Sequence, residues 1–329
     1  MTRSLVIAPQ WIGDAVMTEP LMRRLAARGE RLTVGAVPWV APVYRAMPQV
    51  GEVIEFPFQH GGLQLRERRR IAKEAEGKFD AAYVLPNSLK SALLPFLASI
   101  PKRVGYLGEA RVGLLTHRLK NPKGKPPMVA FYSALAGEAG VEGDRPQLQL
   151  PKEEISAALE RAHLPSGGFY VFAPGAEFGP AKRWPAIHYA ELAKTLPLPV
   201  VLLGSGKERE LCEEIAQEAG GGRCINLAGK TSLPDAFALI ASAKAMISND
   251  SGLMHVAAAF GVPQVALFGS SSPEHTPPLN DHATVVWLRD DAAYQPPLDC
   301  APCFQRDCPL GHTRCLYDIT PERVRSLLQ

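Results

Sequence analysis

The sequence predicts an α/β protein made of two Rossmann-like, doubly wound domains that face a central cleft. Apolar runs of strand length alternate with amphipathic stretches of helix length along the chain, which is typical of parallel sheets with crossover helices. The 329 residues suffice for two domains of ordinary size, and 46% of them are hydrophobic, so each domain can bury its own core. A segment rich in proline, glycine and charge separates the two halves.

The first half contains four strand candidates, with helical patterns over 14–28 and 88–99 between them. In chain order these strands are "SLVIAP", "RLTVGAV", "AAYVLP" and "KRVGY". The segment 121–152, which carries "NPKGKPP" and "GVEGDRPQLQLPKEE", is expected to link the halves. We therefore predict a first domain over 1–155 and a second over 156–329.

The second half repeats the alternation and predicts a complete doubly wound domain of its own. Its strand candidates are "FYVFAP", "PVVLLG", "CINLAG", "KAMISND" and "PQVALFG". Its helices are expected near 185–196, 207–219, 233–243 and 252–261. In such folds ligands bind at the carboxyl ends of the parallel strands, so the loops that follow the strands are the candidate site.

Charge is distributed unevenly between the halves. Residues 1–150 hold 21 Lys and Arg against 13 Asp and Glu, whereas 151–329 hold 15 against 20. The basic half favours an anionic partner, and its richest runs are 65–73 and 118–126. For either run alone the favoured interpretation is the simpler one, a solvated helix face at 65–73 followed by a flexible loop at 118–126. No run approaches the roughly 18 apolar residues of a membrane span, and the N-terminus lacks a signal-peptide pattern, so we expect a cytoplasmic protein.

The loop after the first strand, in "APQWIGDAV", places Gly13 and Asp14 at the turn into the first helix. A carboxylate there either caps the helix or acts as a general base at the mouth of the cleft. The pattern leaves both interpretations open.

Two loops of the second half favour phosphate binding. In "APGAEFGPAKRWP", Lys182 and Arg183 stand just ahead of Pro185, which suits a first helical position. Cations beside the positive end of a helix dipole repel it unless an anion joins them. In "SNDSGLMHVAAAFGVP" the chain leaves a strand, turns through Asp250 and Ser251, and enters a helix. That start suits either a phosphate or an ordinary N-cap, and the two loops together predict a diphosphate site.

Other motifs are weaker or missing. In "LLGSGKEREL", Glu208 or Glu210 is a candidate for a ribose contact. The P-loop pattern and the G-x-G-x-x-G fingerprint after the first strand are absent, which counts against an ATPase of that type and a standard NAD enzyme. No Asp-x-Asp pair is available to hold Mg²⁺ on a diphosphate. We therefore expect the diphosphate charge to be neutralised by Lys182, Arg183 and the helix ends.

Four of the six cysteines fall in "DCAPCFQRDCPLGHTRC", together with His312. The spacing matches no established metal signature, yet a structural zinc site or an iron–sulfur cluster is one interpretation of it. Its ligands would be Cys300, Cys303, Cys308 and Cys315. A cytoplasmic setting argues against stable disulfides.

Several long stretches resemble the ADP-heptose:lipopolysaccharide heptosyltransferase II family, in the family's order. They are "APQWIGDAVMTEPL", "YVLPNSLKSALLPF", "PGAEFGPAKRWPAIHYAELA", "NDSGLMHVAAA" and "GSSSPEHTPPL". The resemblance covers residue 5 to about 280 and returns at "DITPERV". It implies the two-domain GT-B fold, an acceptor-binding first domain and a second domain that holds the ADP-heptose. It also implies an inverting transfer of heptose to heptosyl-Kdo2-lipid A in the lipopolysaccharide inner core, with no metal or other cofactor required.

The same resemblance implies roles for individual residues. Asp14 would take the proton of the acceptor hydroxyl, and Lys182 would stabilise the departing diphosphate. Donor-binding residues are expected at Gly13, Lys182, Arg183, Glu208, Asp250, Ser251, Gly252 and His255. Acceptor-binding residues are expected at Asn87, Lys90, Arg66 and Arg68. Arg69 and Arg70 join them in a basic surface that would guide an acidic acceptor at the cytoplasmic membrane face.

Three alternatives remain open at this point. Heptosyltransferase I, or another core transferase, would use the same donor with a different acceptor. A nucleotide-sugar epimerase shares the architecture but needs no acceptor. A nucleic-acid-binding module would suit the basic half, but 65–73 contains no aromatic residue for base stacking, so no nucleic-acid partner is expected.

Overall fold

The computed structural model describes residues 1–59, 61–137 and 144–328, so 138–143 of the predicted linker lie outside the described residues. The chain divides into two compact units, Met1–Gln149 and Leu150–Gln329. The boundary predicted at residue 155 lies within the helix Lys152–Ala162, six residues after the division between the units.

The described residues of the first unit form one six-stranded sheet in which every neighbouring pair is parallel. Its strands are β1 Arg3–Ile7, β2 Arg31–Ala36, β3 Val50–Glu55, β4 Ala81–Val84, β5 Lys102–Tyr106 and β6 His117–Leu119. Its helices are α1 Ile12–Met17, α2 Glu19–Ala27, α3 Ala41–Arg45, α4 Leu65–Ala75, α5 Leu89–Leu97 and α6 Met128–Ser133. The spatial order is β3-β2-β1-β4-β5-β6, the order of Rossmann folds.

The second unit repeats this plan in its described residues. Its strands are β7 Tyr170–Ala173, β8 Val200–Leu202, β9 Cys224–Asn226, β10 Ala245–Asn249, β11 Gln264–Phe268 and β12 Ala283–Trp287. Its helices are α7 Lys152–Ala162, α8 Ala186–Thr195, α9 Arg209–Ala219, α10 Leu233–Ala241, α11 Gly252–Ala259, α12 Arg314–Tyr317 and α13 Pro321–Ser326. The order β12-β11-β10-β7-β8-β9 is the same Rossmann order counted within the unit.

The predicted fold class is therefore confirmed: the protein is α/β, with two doubly wound parallel sheets. All nine predicted strands are present, and the structure adds β3, β6 and β12. These three lie at sheet edges and are partly exposed, so polar residues interrupt their apolar pattern. The central strands β1, β4, β7 and β10 are almost wholly buried, which explains why their continuous apolar runs were recognisable.

The helix predicted over 14–28 is two helices rather than one. Pro20 lies in the first turn of α2, and a proline there cannot donate the backbone hydrogen bond that a continuous helix needs. Thr18 separates α1 from α2, and its hydroxyl donates to the carbonyl of Ala15 at 2.6 Å. This break leaves α1 only 6 residues long, with Asp14 in its first turn.

Both sheets place the loops of interest at their switch points, where the strand order reverses. In the first unit these loops follow β1 and β4, and in the second they follow β7 and β10. Crevices at such points are where open α/β sheets bind ligands. Among the residues that the structure describes, no helix combines the length and the apolar character needed to cross a bilayer.

Candidate active site

Asp14 lies in a cavity of about 310 Å³ at the switch point of the first sheet. Its lining comes from the loops after β1, β2, β3 and β4, together with Arg68 of α4, the start of α5 and Tyr132 of α6. The lining includes Trp11, Asp14, Arg68, Lys90 and Tyr132. A carboxylate, two cations and aromatic side chains thus share one cavity, a set suited to an anionic, ring-containing ligand.

Tyr132 is the partner of Asp14 that the sequence did not reveal. Its hydroxyl donates to Asp14 Oδ1 at 3.0 Å, across 118 residues of chain. Burial, with a contribution from the Asp14 charge, raises the pKa of Tyr132 well above its ordinary value. Tyr132 is therefore neutral and a donor, and its hydrogen bond fixes the direction in which the Asp14 carboxylate points.

Two of the predicted acceptor residues reach the cavity. Lys90 lies in the first turn of α5, where the Glu109 carboxylate accepts from the Leu89 N–H at 2.7 Å and offsets the unfavourable placement of a cation. Arg68 was expected on a solvated helix face, but it is 4% exposed. Its Nε donates to the carbonyl of Leu63 at 2.8 Å, and its guanidinium lies 4.0 Å from the centre of the Phe58 ring. The expected solvated position of Arg68 was wrong because α4 turns this residue inward.

The other predicted acceptor residues lie elsewhere. Asn87 is absent from the cavity lining, and its Oδ1 accepts from Arg111 Nη2 at 3.0 Å. Arg111 is completely buried and also donates to the Pro86 carbonyl at 2.7 Å, so it supports the loop after β4. Arg66 lines a separate surface depression with Arg70, and Arg70 is paired with two glutamates of its own helix. The cations of the basic run 65–73 therefore do not form one continuous surface.

The switch point of the second sheet is organised by Asn249, a buried residue at the end of β10. Its Oδ1 accepts from the backbone N–H of Trp184 at 3.0 Å and from the Tyr189 hydroxyl at 3.2 Å. Its Nδ2 donates to the Pro174 carbonyl at 2.7 Å. One amide thus attaches both ends of the loop between β7 and α8 to the end of β10.

That attachment brings Lys182 to Asp250. Lys182 lies in a single 3-10 turn, Pro180–Lys182, and its Nζ is 2.5 Å from Asp250 Oδ2. Asp250 Oδ1 accepts a longer hydrogen bond, 3.4 Å, from the hydroxyl of Thr276. The Asp250 side chain is only 6% exposed and that of Lys182 19%, so the pair is partly shielded from water.

The start of α11 completes this site. Ser251 is its N-cap residue, but no side chain caps the helix, and Ser251 Oγ is buried without a hydrogen-bond partner among the described residues. His255 is buried, and burial lowers its pKa to about 4, with Lys182 lowering it further and Asp250 opposing the shift. Asp250, Ser251, Gly252, His255 and Lys182 therefore lie together at the start of α11, and His255 is neutral at physiological pH.

The two candidate ribose contacts differ in position. Glu208 forms a capping box with Ser205, whose backbone N–H donates to Glu208 Oε2 at 2.6 Å. A side chain at Gly175 would meet Glu208 Oε1 at 1.6 Å, so this carboxylate lies against the loop that carries Lys182. Glu210 is exposed in the first turn of α9. The structure therefore brings Glu208, but not Glu210, next to the predicted site.

Two predicted donor residues have local roles. Arg183 is exposed, and its Nη2 donates a long hydrogen bond, 3.4 Å, to the Ala176 carbonyl of its own loop. Gly13 is the second residue of α1, immediately before Asp14. Gly13 thus belongs to the first unit, and the Arg183 side chain contacts its own loop rather than Asp250.

The cysteine segment packs beneath the Lys182 turn. The carbonyl of Arg306 accepts from the Ala181 N–H at 3.0 Å, and a Cβ at Gly179 would lie 2.5 Å from the same oxygen. All six cysteines are free thiols, and no three His, Cys, Asp or Glu side chains in the described residues are placed to hold a metal ion. The structural metal expected at Cys300, Cys303, Cys308 and Cys315 is therefore unsupported, and the segment's observed role is packing.

Comparison with known proteins decides the family. The family model of glycosyltransferase family 9 (heptosyltransferase) matches residues 68–313. The chain belongs to this family. It is therefore a glycosyltransferase. Its two Rossmann-like units match those of a solved structure of the family, which confirms the predicted GT-B fold.

Relatives of this glycosyltransferase are similar along almost its whole length. Lipopolysaccharide heptosyltransferase 2 of Escherichia coli is 44% identical over 97% of this chain and 95% of its own. Lipooligosaccharide heptosyltransferase 2 of Haemophilus influenzae is 41% identical over 97% and 96%. The solved structure of E. coli ADP-heptose lps heptosyltransferase II has a TM-score of 0.86 at 42% identity, covering 99% of this chain and 98% of that one.

Proposed function

We propose that the protein transfers L-glycero-D-manno-heptose from ADP-heptose to the first heptose of heptosyl-Kdo2-lipid A, inverting the anomeric centre. The observation that carries this proposal is the cluster in which Lys182 is held at the uncapped start of α11. Relatives more than 40% identical over nearly the whole chain carry the name heptosyltransferase 2, which favours the second heptose step over the first.

The donor site would lie at the end of β10. Helix N-terminal N–H groups and a nearby ammonium are the groups that bind phosphates in proteins, and α11 offers its amides without a side-chain cap. Lys182 would neutralise charge on the leaving ADP, and Ser251 Oγ, which has no described partner, would donate to a phosphate oxygen. Neutral His255 would add a hydrogen bond without a second full charge.

Glu208 is our candidate for the ribose hydroxyls. Its Oε2 is occupied by the Ser205 N–H, while its Oε1 faces Gly175 in the loop that carries Lys182. A carboxylate fixed in this way accepts hydrogen bonds from vicinal hydroxyls without first losing rotamer freedom. Glu210, on the exposed face of α9, lacks such a position.

Asp14 would serve as the base. Inversion needs one displacement, in which the acceptor hydroxyl loses its proton as it attacks C1 and the ADP departs from the opposite face of the sugar. Asp14 shares its cavity with Lys90 and Arg68, which suit the carboxylates of an acidic acceptor. Tyr132 would hold Asp14 in the orientation for proton transfer.

No cofactor enters this scheme, because Lys182 and the start of α11 supply the charge stabilisation that a metal ion would otherwise give. We also propose that the enzyme works at the cytoplasmic face of the inner membrane, since a lipid-linked acceptor would be presented there. Arg66 and Arg69 are exposed on α4 and could contact an anionic membrane surface.

A transfer assay tests the proposal. Purified protein is incubated with ADP-heptose in the presence of EDTA, and with Kdo2-lipid A carrying either one heptose or none. Mass spectrometry should show one added heptose on the first acceptor alone. Transfer to the heptose-free acceptor alone would assign the first step instead, and free altered sugar without acceptor would indicate an epimerase. Restoration of activity only by Mg²⁺ would overturn the metal-independent scheme.

A further inference from the structure

Two of the four tryptophans are unusually exposed. Trp11 is 52% exposed and Trp39 46%, whereas Trp184 and Trp287 are 1% and 6% exposed. An exposed indole forgoes a large hydrophobic gain, and clustered exposed aromatic surface marks sites of recognition. Both exposed tryptophans belong to the first unit and both buried ones to the second.

The two exposed tryptophans belong to neighbouring loops at the Asp14 cavity, which Trp11 lines. Trp11 follows β1, lines the cavity and is the N-cap residue of the helix that carries Asp14. Trp39 follows β2, the parallel neighbour of β1, so the two loops emerge at the same edge of the sheet. The indole N–H of Trp39 donates to the Gln10 carbonyl at 3.0 Å, which connects the second loop to the residue before Trp11.

We propose that Trp11 and Trp39 form a stacking surface for the acceptor saccharide, an inference that rests on the proposed acceptor role of the first unit. Trp11 contacts the sugar ring whose hydroxyl Asp14 deprotonates. Trp39 is a positioning residue, because its N–H fixes the Gln10 carbonyl and with it the loop that presents Trp11.

The chemistry of the cavity identifies the ligand class. The C–H face of a pyranose ring is apolar and packs on an indole, while its hydroxyls remain available to polar groups. Lys90 and Arg68 in the same cavity select an anionic group, and Asp14 requires a hydroxyl donor. An acidic saccharide carries all three features. A lipid surface would use the indoles but has no need of the Asp14 cavity.

Fluorescence provides a readout that does not depend on turnover. Since Trp184 and Trp287 are buried, quenching by acrylamide reports on Trp11 and Trp39. Deacylated heptosyl-Kdo2 saccharide should shift the emission to the blue and reduce the quenching constant at least twofold, whereas ADP-heptose alone should not. Anionic phospholipid vesicles without saccharide should leave the quenching constant unchanged. Protection by vesicles but not by saccharide would assign the surface to the membrane and overturn the proposal.

Kinetics of single variants separate the two roles. Trp11→Ala should raise the acceptor KM by about tenfold or more, the loss expected for a central aromatic contact, and leave the donor KM unchanged. Trp39→Phe keeps an aromatic ring but loses the N–H, and it should raise the acceptor KM by a smaller factor. Phe96→Ala, at an exposed aromatic outside the cavity lining, is the matched control and should change neither constant.

Failure of this inference and failure of the proposed function give different results. Suppose that heptose is transferred, but that the saccharide does not reduce the quenching and Trp11→Ala does not raise the acceptor KM. The stacking surface is then wrong and the proposed function stands. If saccharide protects the tryptophans but no heptose is transferred, the surface stands and the proposed reaction fails. If neither occurs, both are overturned.

Discussion

Lys182 Nζ lies 2.5 Å from Asp250 Oδ2, and this ion pair joins the loop after β7 to the loop after β10. The two residues are 68 positions apart, and neither side chain is more than 19% exposed. Asp250 thereby determines where the ammonium is held. A donor diphosphate would meet a cation already fixed in place, which is the condition for strong electrostatic stabilisation of a leaving group.

Replacing Lys182 should therefore lower kcat by a larger factor than it lowers the affinity for the donor. We expect Lys182→Met to lower kcat by about a hundredfold or more, by comparison with the loss of one preorganised donor. Asp250→Asn retains the lysine but removes its carboxylate partner, and a smaller loss is expected. Lys194→Ala, an exposed lysine at the end of α8, is the control. An unchanged kcat in Lys182→Met would remove the lysine from the chemical step.

Tyr132→Phe removes the hydroxyl that donates to Asp14 and leaves the ring in place. A hydrogen bond to a carboxylate favours its ionised form, so losing it should move the acid limb of the pH–rate profile toward neutral pH. The acceptor KM should change little, because the ring still fills its position. The measurement is kcat against pH for both proteins. A purely structural role for Tyr132 would lower activity equally at every pH.

His255 should make the second unit acid-sensitive. Burial lowers its pKa to about 4, whereas an unfolded histidine titrates near 6.5, so the unfolded state binds more protons between these values. The contribution of neutral His255 to the free energy of unfolding is fully present above pH 6.5. It is lost as the pH falls toward 4, by up to roughly 3 kcal/mol. Urea unfolding followed by the fluorescence of buried Trp184 and Trp287 reports on this unit.

His255→Gln is the comparison for that experiment. The wild-type protein should lose more stability than the variant between pH 7.5 and pH 5, and the difference isolates His255 from other groups such as buried Glu19. Glu19, whose pKa burial raises to about 6, belongs to the first unit and shifts stability in the opposite sense. Equal losses in the two proteins would show that His255 is not held neutral by the fold.

Gly175 should be intolerant of any side chain. A Cβ there would lie 1.6 Å from Glu208 Oε1, so Gly175→Ala must displace the carboxylate that we assign to the ribose. We expect the donor KM to rise between about tenfold and a hundredfold, since a displacement of about an ångström is costly at a binding site. Gly221→Ala, where a Cβ meets no atom within 4 Å, is the matched control. An unaltered donor KM in Gly175→Ala would argue against the role of Glu208.

The sequence was most informative where burial is complete. Strands such as β1 and β10 are apolar on both faces, so their runs and the polar loops after them could be recognised without a structure. Three of the four edge strands, β3, β6 and β12, were not predicted, because their exposed residues interrupt the apolar pattern. The burial of Arg68 could not be predicted either, because a run of basic residues does not show which of them will pack against Phe58.

The candidate site was predictable only in part for a similar reason. Loops after parallel strands identified Asp14, Lys182 and Asp250, because topology alone brings them to switch points. Their partners depend on contacts across long stretches of chain. Tyr132 lies 118 residues from Asp14, and Asn249, although it stands beside Asp250, acts on backbone atoms up to 75 residues away. No local pattern encodes such pairings.

The measurement that tests the central claim most directly is transfer by Asp14→Asn, with donor binding followed in parallel by calorimetry. The variant keeps the size and the hydrogen-bonding position of the side chain but cannot accept the acceptor's proton. We predict that ADP-heptose affinity stays within about twofold, whereas heptose transfer to heptosyl-Kdo2-lipid A falls by between about a hundredfold and ten-thousandfold, the range for general base catalysis. Transfer at a near wild-type rate would contradict the account, because the base would then have to be another group.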